Sequence, residues 1–168
     1  MHSGLVRLIT TAFIVIAAYL AASSARGETP VDRGRYLVTI MDCTACHTAG
    51  TLAGKPDPAK YLAGSDIGFE IPELGIFYPP NLTPDHATGL GAWSEQDIVT
   101  ALRTGARRDG RELAPVMPWR SYAALSDRDV QAVAAYLKSL PPVSNAVPPL
   151  TGPSEKAPAP YMTVVMPK

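Results

Sequence analysis

The residues best suited to chemistry stand together in the segment Cys43-Thr44-Ala45-Cys46-His47. Two thiols separated by two residues can form thioether bonds with the two vinyl groups on one edge of a porphyrin, and the adjacent histidine then lies under the iron. We therefore predict that Cys43 and Cys46 attach one haem c covalently and that His47 is the proximal iron ligand. The second ring nitrogen of His47 is expected to donate to a backbone carbonyl, which fixes the ring direction.

Other kinds of site use the same cysteine spacing. A thioredoxin-like redox couple would need a strand before the motif, and it leaves His47 unexplained. A zinc site would need two more Cys or His ligands at short spacing, whereas the other histidines are His2 and His86. A disulfide between Cys43 and Cys46 would close a very small loop and contribute little stability. Haem attachment accounts for all three side chains.

A sixth iron ligand can be sought further along the chain. A thioether sulfur opposite histidine raises the reduction potential of the iron and suits electron transfer. Met117 is the main candidate because it lies in a predicted loop well downstream of the motif. Met41 lies too close to the proximal side, and Met162 and Met166 fall in a proline-rich tail. His86 is the chemical rival, which would lower the potential instead.

The composition describes an ordinary folded domain with neutral charge. The 168 residues include 15 basic and 15 acidic side chains and are 46% hydrophobic, which excludes a disordered chain and argues against nucleic acid as a partner. Seventeen prolines and thirteen glycines predict much ordered loop. A cluster of arginines is expected on a solvated face, with a docking patch for redox partners as the alternative; it comprises Arg103, Arg107, Arg108 and Arg111.

The N-terminus has the pattern of a secretory signal peptide. Arg7 precedes an apolar run over residues 8–22, and the small residues 23–25 follow. We predict a signal peptide over residues 1–25, cut after Ala25 or Gly27, and hence a periplasmic protein, either soluble or membrane-associated through a partner. The run is shorter than the roughly 20 residues of a spanning helix, so an uncleaved anchor is the alternative. Residues 28–142 would form the haem domain, and residues 143–168 a proline-rich extended tail that lies on this domain or on a partner.

Three segments combine an N-cap residue, acidic side chains in the first turn and an apolar period of 3.6 residues, and they therefore predict helices. The first covers residues 30–42 after Thr29. The second begins after Ser94 and ends at Gly105, and the third begins after Ser126 and stops before residues 141–142. The positions expected to face the core are Tyr36, Leu37, Ile40, Ile98, Ala101, Leu102, Val130, Val133, Ala134 and Leu137. Residues 48–92 show no clear period and are expected to be ordered loop around the porphyrin.

The combination of motifs resembles class I cytochrome c. The resemblance rests on the Cys-x-x-Cys-His motif, on Asn-Leu-Thr-Pro-Asp at 81–85, on Thr-Gly-Leu-Gly at 88–91 with Trp93, on Met117 with Pro118, and on residues 126–137. More narrowly, residues 31–142 resemble the haem domains of cytochrome c subunits of bacterial alcohol, aldehyde and gluconate-type dehydrogenases. The resemblance implies an all-α fold of short helices around one covalent haem with long ordered loops, Gly34 packing near Tyr136, and axial ligation by His47 and Met117.

The function expected from these residues is electron transfer. We predict an exported mono-haem cytochrome that carries single electrons from a dehydrogenase to a downstream cytochrome or terminal oxidase, and that is not itself an enzyme. Asn81, Trp93 and Arg111 are candidate contacts for the haem propionates. The alternative is a haem protein with an exchangeable sixth ligand, acting as a peroxidase or gas sensor. A third hypothesis gives the tail the role of binding a dehydrogenase, in association with a membrane-bound complex.

Overall fold

A computed structural model describes residues 27–167, so the signal peptide predicted over residues 1–25 lies outside the described residues. The helices in this part of the chain are α1 (Pro30–Ile40), α2 (Cys43–His47), α3 (Glu95–Thr104), α4 (Trp119–Tyr122) and α5 (Asp127–Ser139). Two short 3₁₀ helices, Thr51–Ala53 and Pro58–Lys60, follow α2. Long loops join these elements, as the proline and glycine content predicts. No helix within residues 27–167 has the length and apolar content to cross a membrane.

The three longer helices begin at the predicted capping residues. Thr29 Oγ1 accepts a hydrogen bond from the backbone N–H of Asp32 before α1. Ser94 and Asp97 form a capping box at the start of α3, in which each side chain accepts from the other's backbone N–H. Ser126 Oγ accepts from the N–H of Asp129 at the start of α5, at 3.1 Å. These caps satisfy backbone donors that have no partner inside the helix, so the start of each helix is encoded locally.

The core forms where α1 crosses α5. Gly34 allows the crossing, because a Cβ atom there would collide with the carbonyl oxygen of Ala132 and lie 2.6 Å from Tyr136 Cβ. Leu37 and Val38 continue the buried stripe of α1. The predictions for Tyr36 and Ile40 are wrong, since these side chains are 51% and 59% exposed. The stripe that meets α5 is centred on Gly34, Leu37 and Val38, which turns Tyr36 and Ile40 outward.

The predicted helix over residues 30–42 is interrupted before it reaches the cysteines. Helix α1 ends at Ile40, and Asp42 adopts a left-handed backbone conformation with φ of 53°. Cys43 then begins the separate five-residue helix α2. The left-handed residue turns the chain, so α2 does not continue the axis of α1.

A small sheet lies in the region predicted as loop. Strand β1 (Gly68–Ile71) pairs antiparallel with β2 (Gly75–Phe77), with Phe69 opposite Phe77. Strand β3 (Tyr161–Met162) lies parallel to the other edge of β1, which gives the order β2-β1-β3. Strands of four, three and two residues are too short to show an alternating pattern. The all-α expectation therefore omitted this sheet.

The proline-rich segment after α5 runs along the domain. Asn145 donates to the carbonyl of Ala63 at 2.8 Å, and Thr151 pairs through both backbone groups with Ile76. The hydroxyl of Tyr78 donates to the carbonyl of Ala159 at 2.8 Å, just before β3 joins the sheet. This segment is therefore part of the folded unit in the described structure.

Candidate functional site

One mostly apolar cavity of about 290 Å³ brings the predicted site residues together. It lies among α2, the loop around residue 80, helices α3 and α5, and the loop after Gly105. Its lining includes every residue predicted for the site, namely Cys43, Cys46, His47, Asn81, Trp93, Arg111 and Met117. The rival ligand His86 is exposed and does not line this cavity.

His47 is the most constrained of these side chains. It is 6% exposed, and its Nδ1 atom lies 2.8 Å from the carbonyl oxygen of Pro80. A carbonyl can only accept, so Nδ1 carries the proton and Nε2 keeps its lone pair. Burial lowers the pKa of His47, which favours the neutral ring. This is the tautomer that a metal ligand requires, and the bond to a backbone carbonyl agrees with the expectation from the motif.

The two cysteines are not joined by a disulfide bond, and both have raised pKa values. Burial raises the pKa of Cys43 to about 11, and burial also raises that of Cys46. A thioredoxin-like couple instead lowers the pKa of its attacking cysteine and follows a strand, whereas α2 follows α1. Within residues 27–167 no group of three or more His, Cys, Asp or Glu side chains could hold a metal ion. The helix before the motif does not match the strand-helix context that a thioredoxin-like couple requires.

Met117 is presented by a loop that is tied down near both ends. Leu113 N–H donates to the carbonyl of Gly105 at 2.8 Å, and Met117 N–H donates to the carbonyl of Ala114 at 2.9 Å. The ring of Trp119 packs over Gly105, where a Cβ atom would lie 2.5 Å from Trp119 Cε2. Gly105 also has φ of 74°, which favours glycine at this helix end. The Met117 side chain is partly buried against the hydrophobic core.

Arg107, in the cavity wall, has a buried nitrogen without a hydrogen-bond partner, and this atom bears on whether a haem would fit. Arg107 Nε is buried without a hydrogen-bond partner, although it lies 3.4 Å from Asp109 Oδ2, because the geometry of that contact is poor. The Arg107 guanidinium also lies 6.0 Å from the ring of Trp93. Buried polar groups normally have partners, and a carboxylate entering the cavity would supply one. A haem propionate has this chemistry, so the donor set fits the cofactor.

The three predicted propionate contacts differ in their surroundings. The Asn81 amide donates to Thr88 Oγ1 at 3.0 Å and to the carbonyl of Val143 at 2.7 Å, which engages both of its N–H groups. A bond from Asn81 to a propionate would therefore require one of these bonds to break. Arg111 is half exposed and binds Asp109 at 2.6 Å, while Trp93 is partly buried against the core. Arg107, which sequence reasoning placed only in the surface cluster, is the better placed arginine.

The four arginines of the cluster pair with three nearby carboxylates, because Arg107 and Arg111 share Asp109. The pairs are Arg103 with Asp127 at 2.8 Å, Arg107 with Asp109 at 3.4 Å, Arg108 with Asp97 at 3.5 Å and Arg111 with Asp109 at 2.6 Å. Each positive charge therefore has an acidic neighbour on the same surface. This pairing favours a solvated face over a strongly basic docking patch.

Comparison with known proteins gives consistent matches. The cytochrome c family profile matches residues 31–141. The cytochrome c subunit of alcohol dehydrogenase (quinone) from Gluconobacter oxydans (strain 621H) is 40% identical over 109 residues, which covers 65% of this chain and 21% of that protein. The fructose dehydrogenase cytochrome subunit of Gluconobacter japonicus is 36% identical over 132 residues, covering 78% and 24%. The gluconate 2-dehydrogenase cytochrome c subunit of Pantoea cypripedii is 38% identical over 117 residues, covering 69% and 24%.

This chain spans about a quarter or less of the length of these relatives. The resemblance predicted from the motifs is confirmed, and so is the helix-rich fold class with its long loops. The match ends at residue 141, just before the segment that runs back along the domain.

Proposed function

Because the chain belongs to the cytochrome c family, we propose that it is an exported mono-haem c-type cytochrome that carries single electrons from a dehydrogenase to a downstream cytochrome or terminal oxidase. The observation that carries this proposal is that Cys43, Cys46, His47 and Met117 line one cavity. Electron transfer is supported by the relatives, whose names describe cytochrome subunits of alcohol, fructose and gluconate dehydrogenases. Substrate chemistry would take place on another chain, so this protein would not itself be an enzyme.

Four side chains would hold the cofactor. Cys43 and Cys46 would form the thioether bonds, and His47 Nε2 and the Met117 sulfur would hold the iron. Bound in this way, haem c supplies a one-electron couple between ferric and ferrous iron. The chain contains two cysteines in all, which fits a single attachment.

The surrounding residues would set the properties of that couple. The carbonyl of Pro80 holds the His47 ring in one tautomer and direction. Met117 is a neutral, soft ligand that favours the reduced iron and would close the sixth position to other molecules. The apolar lining would exclude water, which limits reorganisation when the charge changes. These features suit a carrier rather than a site that binds substrate.

The propionates would be received by the loop after α3. Arg107 offers a buried, unsatisfied Nε atom in the cavity wall, and Trp93 and Arg111 line the same cavity. The Asn81 amide would instead brace its own loop, because its donors are engaged by Thr88 and Val143. A charge-assisted bond between Arg107 and a propionate would also reduce the cost of burying that carboxylate.

The relatives indicate the kind of partner. Since they are subunits of dehydrogenases, we propose a dehydrogenase as electron donor and another cytochrome or an oxidase as acceptor, within or near a membrane-bound complex. The proposed location is the periplasm, on the basis of the signal peptide predicted over residues 1–25 and of haem attachment, which takes place outside the bacterial cytoplasm.

The test is maturation of the full chain in an exporting, haem-attaching host, followed by mass spectrometry and carbon monoxide titration. We expect the mass of the mature chain plus one haem, a complete oxidation and reduction cycle with a second cytochrome c, and no carbon monoxide binding to the reduced protein at neutral pH. The matched control is the double variant Cys43→Ala/Cys46→Ala, which should carry no covalent haem. Rapid carbon monoxide binding, or turnover of peroxide, would instead support the exchangeable sixth ligand.

A further inference from the structure

The segment that follows the family match makes its contacts at the proximal side of the haem site. We call residues 143–151 the strap. It lies against two loops, residues 62–65 and residues 79–83, which are also joined to each other. Ser65 N–H donates to the carbonyl of Pro79 at 3.0 Å, and Leu82 N–H donates to the carbonyl of Leu62 at 2.8 Å. The strap therefore rests on two loops that are hydrogen-bonded to each other.

These two loops bind His47 through its backbone carbonyl and through its ring. The backbone carbonyl of His47 accepts from the N–H of Gly64 at 2.8 Å. The ring of His47 donates through Nδ1 to the carbonyl of Pro80, also at 2.8 Å. The direction of the ring therefore depends on where Gly64 and Pro80 lie relative to α2.

The strap supports the Gly64 side by direct packing. Val147 lies so close to Gly64 that a Cβ atom there would collide with Val147 Cγ1, and Gly64 has φ of 96°. One residue earlier, the buried carbonyl of Ala63 accepts from Asn145 Nδ2 at 2.8 Å. A side chain at position 64 would therefore push the strap away, and the absence of one lets the strap press on the first loop.

The Pro80 side is supported by a buried hydrogen-bond network. Asn81 and Thr83 are each 1% exposed. Val143 closes the network with both backbone groups, since its carbonyl accepts from Asn81 Nδ2 at 2.7 Å and its N–H donates to Thr83 Oγ1 at 3.1 Å. Thr83 Oγ1 also lies 2.7 Å from Asn81 Oδ1, to which it donates. Because Asn81 follows Pro80 directly, this network fixes the Pro80 carbonyl that accepts the hydrogen bond from His47 Nδ1.

The far end of the strap reaches the cavity itself. Leu150 lines the cavity and is 43% exposed, so it covers part of the cavity edge. Its neighbour Thr151 is buried and pairs with Ile76 in both directions, at 2.8 and 3.1 Å. The pairing with Ile76 holds Leu150 at the edge of the cavity.

We propose that the strap is a positioning element for the proximal histidine and a seal for one edge of the haem cavity. This inference rests on the proposed function, because it needs His47 to ligate haem iron. The strap would keep the bond from His47 to Pro80 short, which makes the imidazole a stronger donor and lowers the reduction potential. Leu150 would act in the opposite direction, since excluding water disfavours the more highly charged oxidised site and raises the potential.

The strap and Leu150 are expected to shift the reduction potential in opposite directions, which allows a test on the haem-loaded full chain. Thr83→Val removes the hydroxyl that joins the strap to Asn81, and we expect an upward shift of the reduction potential and a changed spread of the haem methyl resonances in the oxidised protein. Thr83→Ser keeps the hydroxyl and should restore both values. Leu150→Ala should shift the potential downward. Leu74→Ala is the matched control, because Leu74 is 51% exposed and does not line the cavity.

Asn145→Ala is the second variant to measure if Thr83→Val does not fold. Its control is Glu155→Ala, because Glu155 accepts a hydrogen bond from the N–H of Gly152 within the tail. Asn145→Ala should shift the potential upward while the attached haem and the Met117-dependent spectrum remain. Potentials and methyl resonances equal to those of the native chain in Thr83→Val and Asn145→Ala would overturn the proposal, as would a Thr83→Ser protein that shifts as far as Thr83→Val. If the native chain carries no covalent haem, the proposed function itself fails.

Discussion

Lys138 holds the loop that carries Trp93 into the cavity wall. Its ammonium group donates to the backbone carbonyls of Trp93, Leu90 and Gly91 at 2.8, 3.0 and 3.3 Å. Lys138 lies on α5 and is partly buried, so it joins the last helix to the segment before α3. The change to test is Lys138→Met, which keeps an unbranched apolar stem and removes the charge and all three donors.

The expected loss of stability follows from these contacts. A hydrogen bond that involves a charged group contributes about 1.5–3 kcal/mol, but three carbonyls share one ammonium and water can reach part of the loop once it is released. We therefore expect Lys138→Met to lower the free energy of unfolding by about 2 kcal/mol. With a urea dependence of about 2 kcal/mol per molar, the midpoint should fall by about 1 M.

The assay is urea unfolding of the haem-loaded protein, followed by far-UV circular dichroism and tryptophan emission. Lys156→Met is the matched control, because Lys156 is exposed on the tail and its loss should change the midpoint little. The reasoning would be refuted if Lys138→Met unfolded at the same urea concentration as the native chain. It would also be refuted if Lys156→Met lost as much stability.

Two further changes test the packing and the charges of the fold. Gly34→Ala should destabilise the protein by about 1–3 kcal/mol, since overpacking against Ala132 outweighs the roughly 1 kcal/mol gain in helix propensity. Thermal unfolding would measure this loss, with Gly152→Ala as the control, because a Cβ atom there meets Glu155 at an ordinary 3.4 Å. A stabilised Gly34→Ala protein would contradict the prediction. Arg33 donates to Asp129 at 2.8 Å and holds the pKa of Asp129 below its ordinary value of 3.8. This stabilisation is fully present above the pKa of Asp129 in the unfolded chain and is lost as the pH falls through its lower folded pKa. The difference in melting temperature between the native chain and Asp129→Asn should therefore be largest near neutral pH and shrink below about pH 4, and a difference independent of pH would contradict the role of this pair.

The starts of the three longer helices were predictable because their determinants are local. The caps at Thr29, Ser94 and Ser126 act within three residues of the helix they start. The apolar stripes of α3 and α5 follow the helical period, so every position predicted on them is buried, although the stripe of α5 also includes Ala132 and Tyr136. The close approach at Gly34 was implied by the resemblance and is present against Tyr136.

The remaining features depend on contacts that leave no pattern in the sequence. A backbone carbonyl was predicted as the acceptor for His47, but neither its position nor the acceptors of Lys138 could be predicted, because every residue carries a carbonyl. The strap is likewise held through backbone groups of Val143 and Thr151. Tyr36 and Ile40 fit an apolar period but lie on the wrong side of the crossing with α5, because the glycine at position 34 decides which face of α1 approaches.

The central claim is that His47 and Met117 together ligate one covalently bound haem. The most direct test is the visible spectrum of the haem-loaded protein, oxidised and reduced, for the native chain, Met117→Ala and the control Met162→Ala, whose methionine is 50% exposed on β3. We predict a six-coordinate, low-spin spectrum whose far-red sulfur-to-iron band disappears in Met117→Ala and persists in Met162→Ala. High-spin iron in the native protein, or a band that survives in Met117→Ala, would contradict the account.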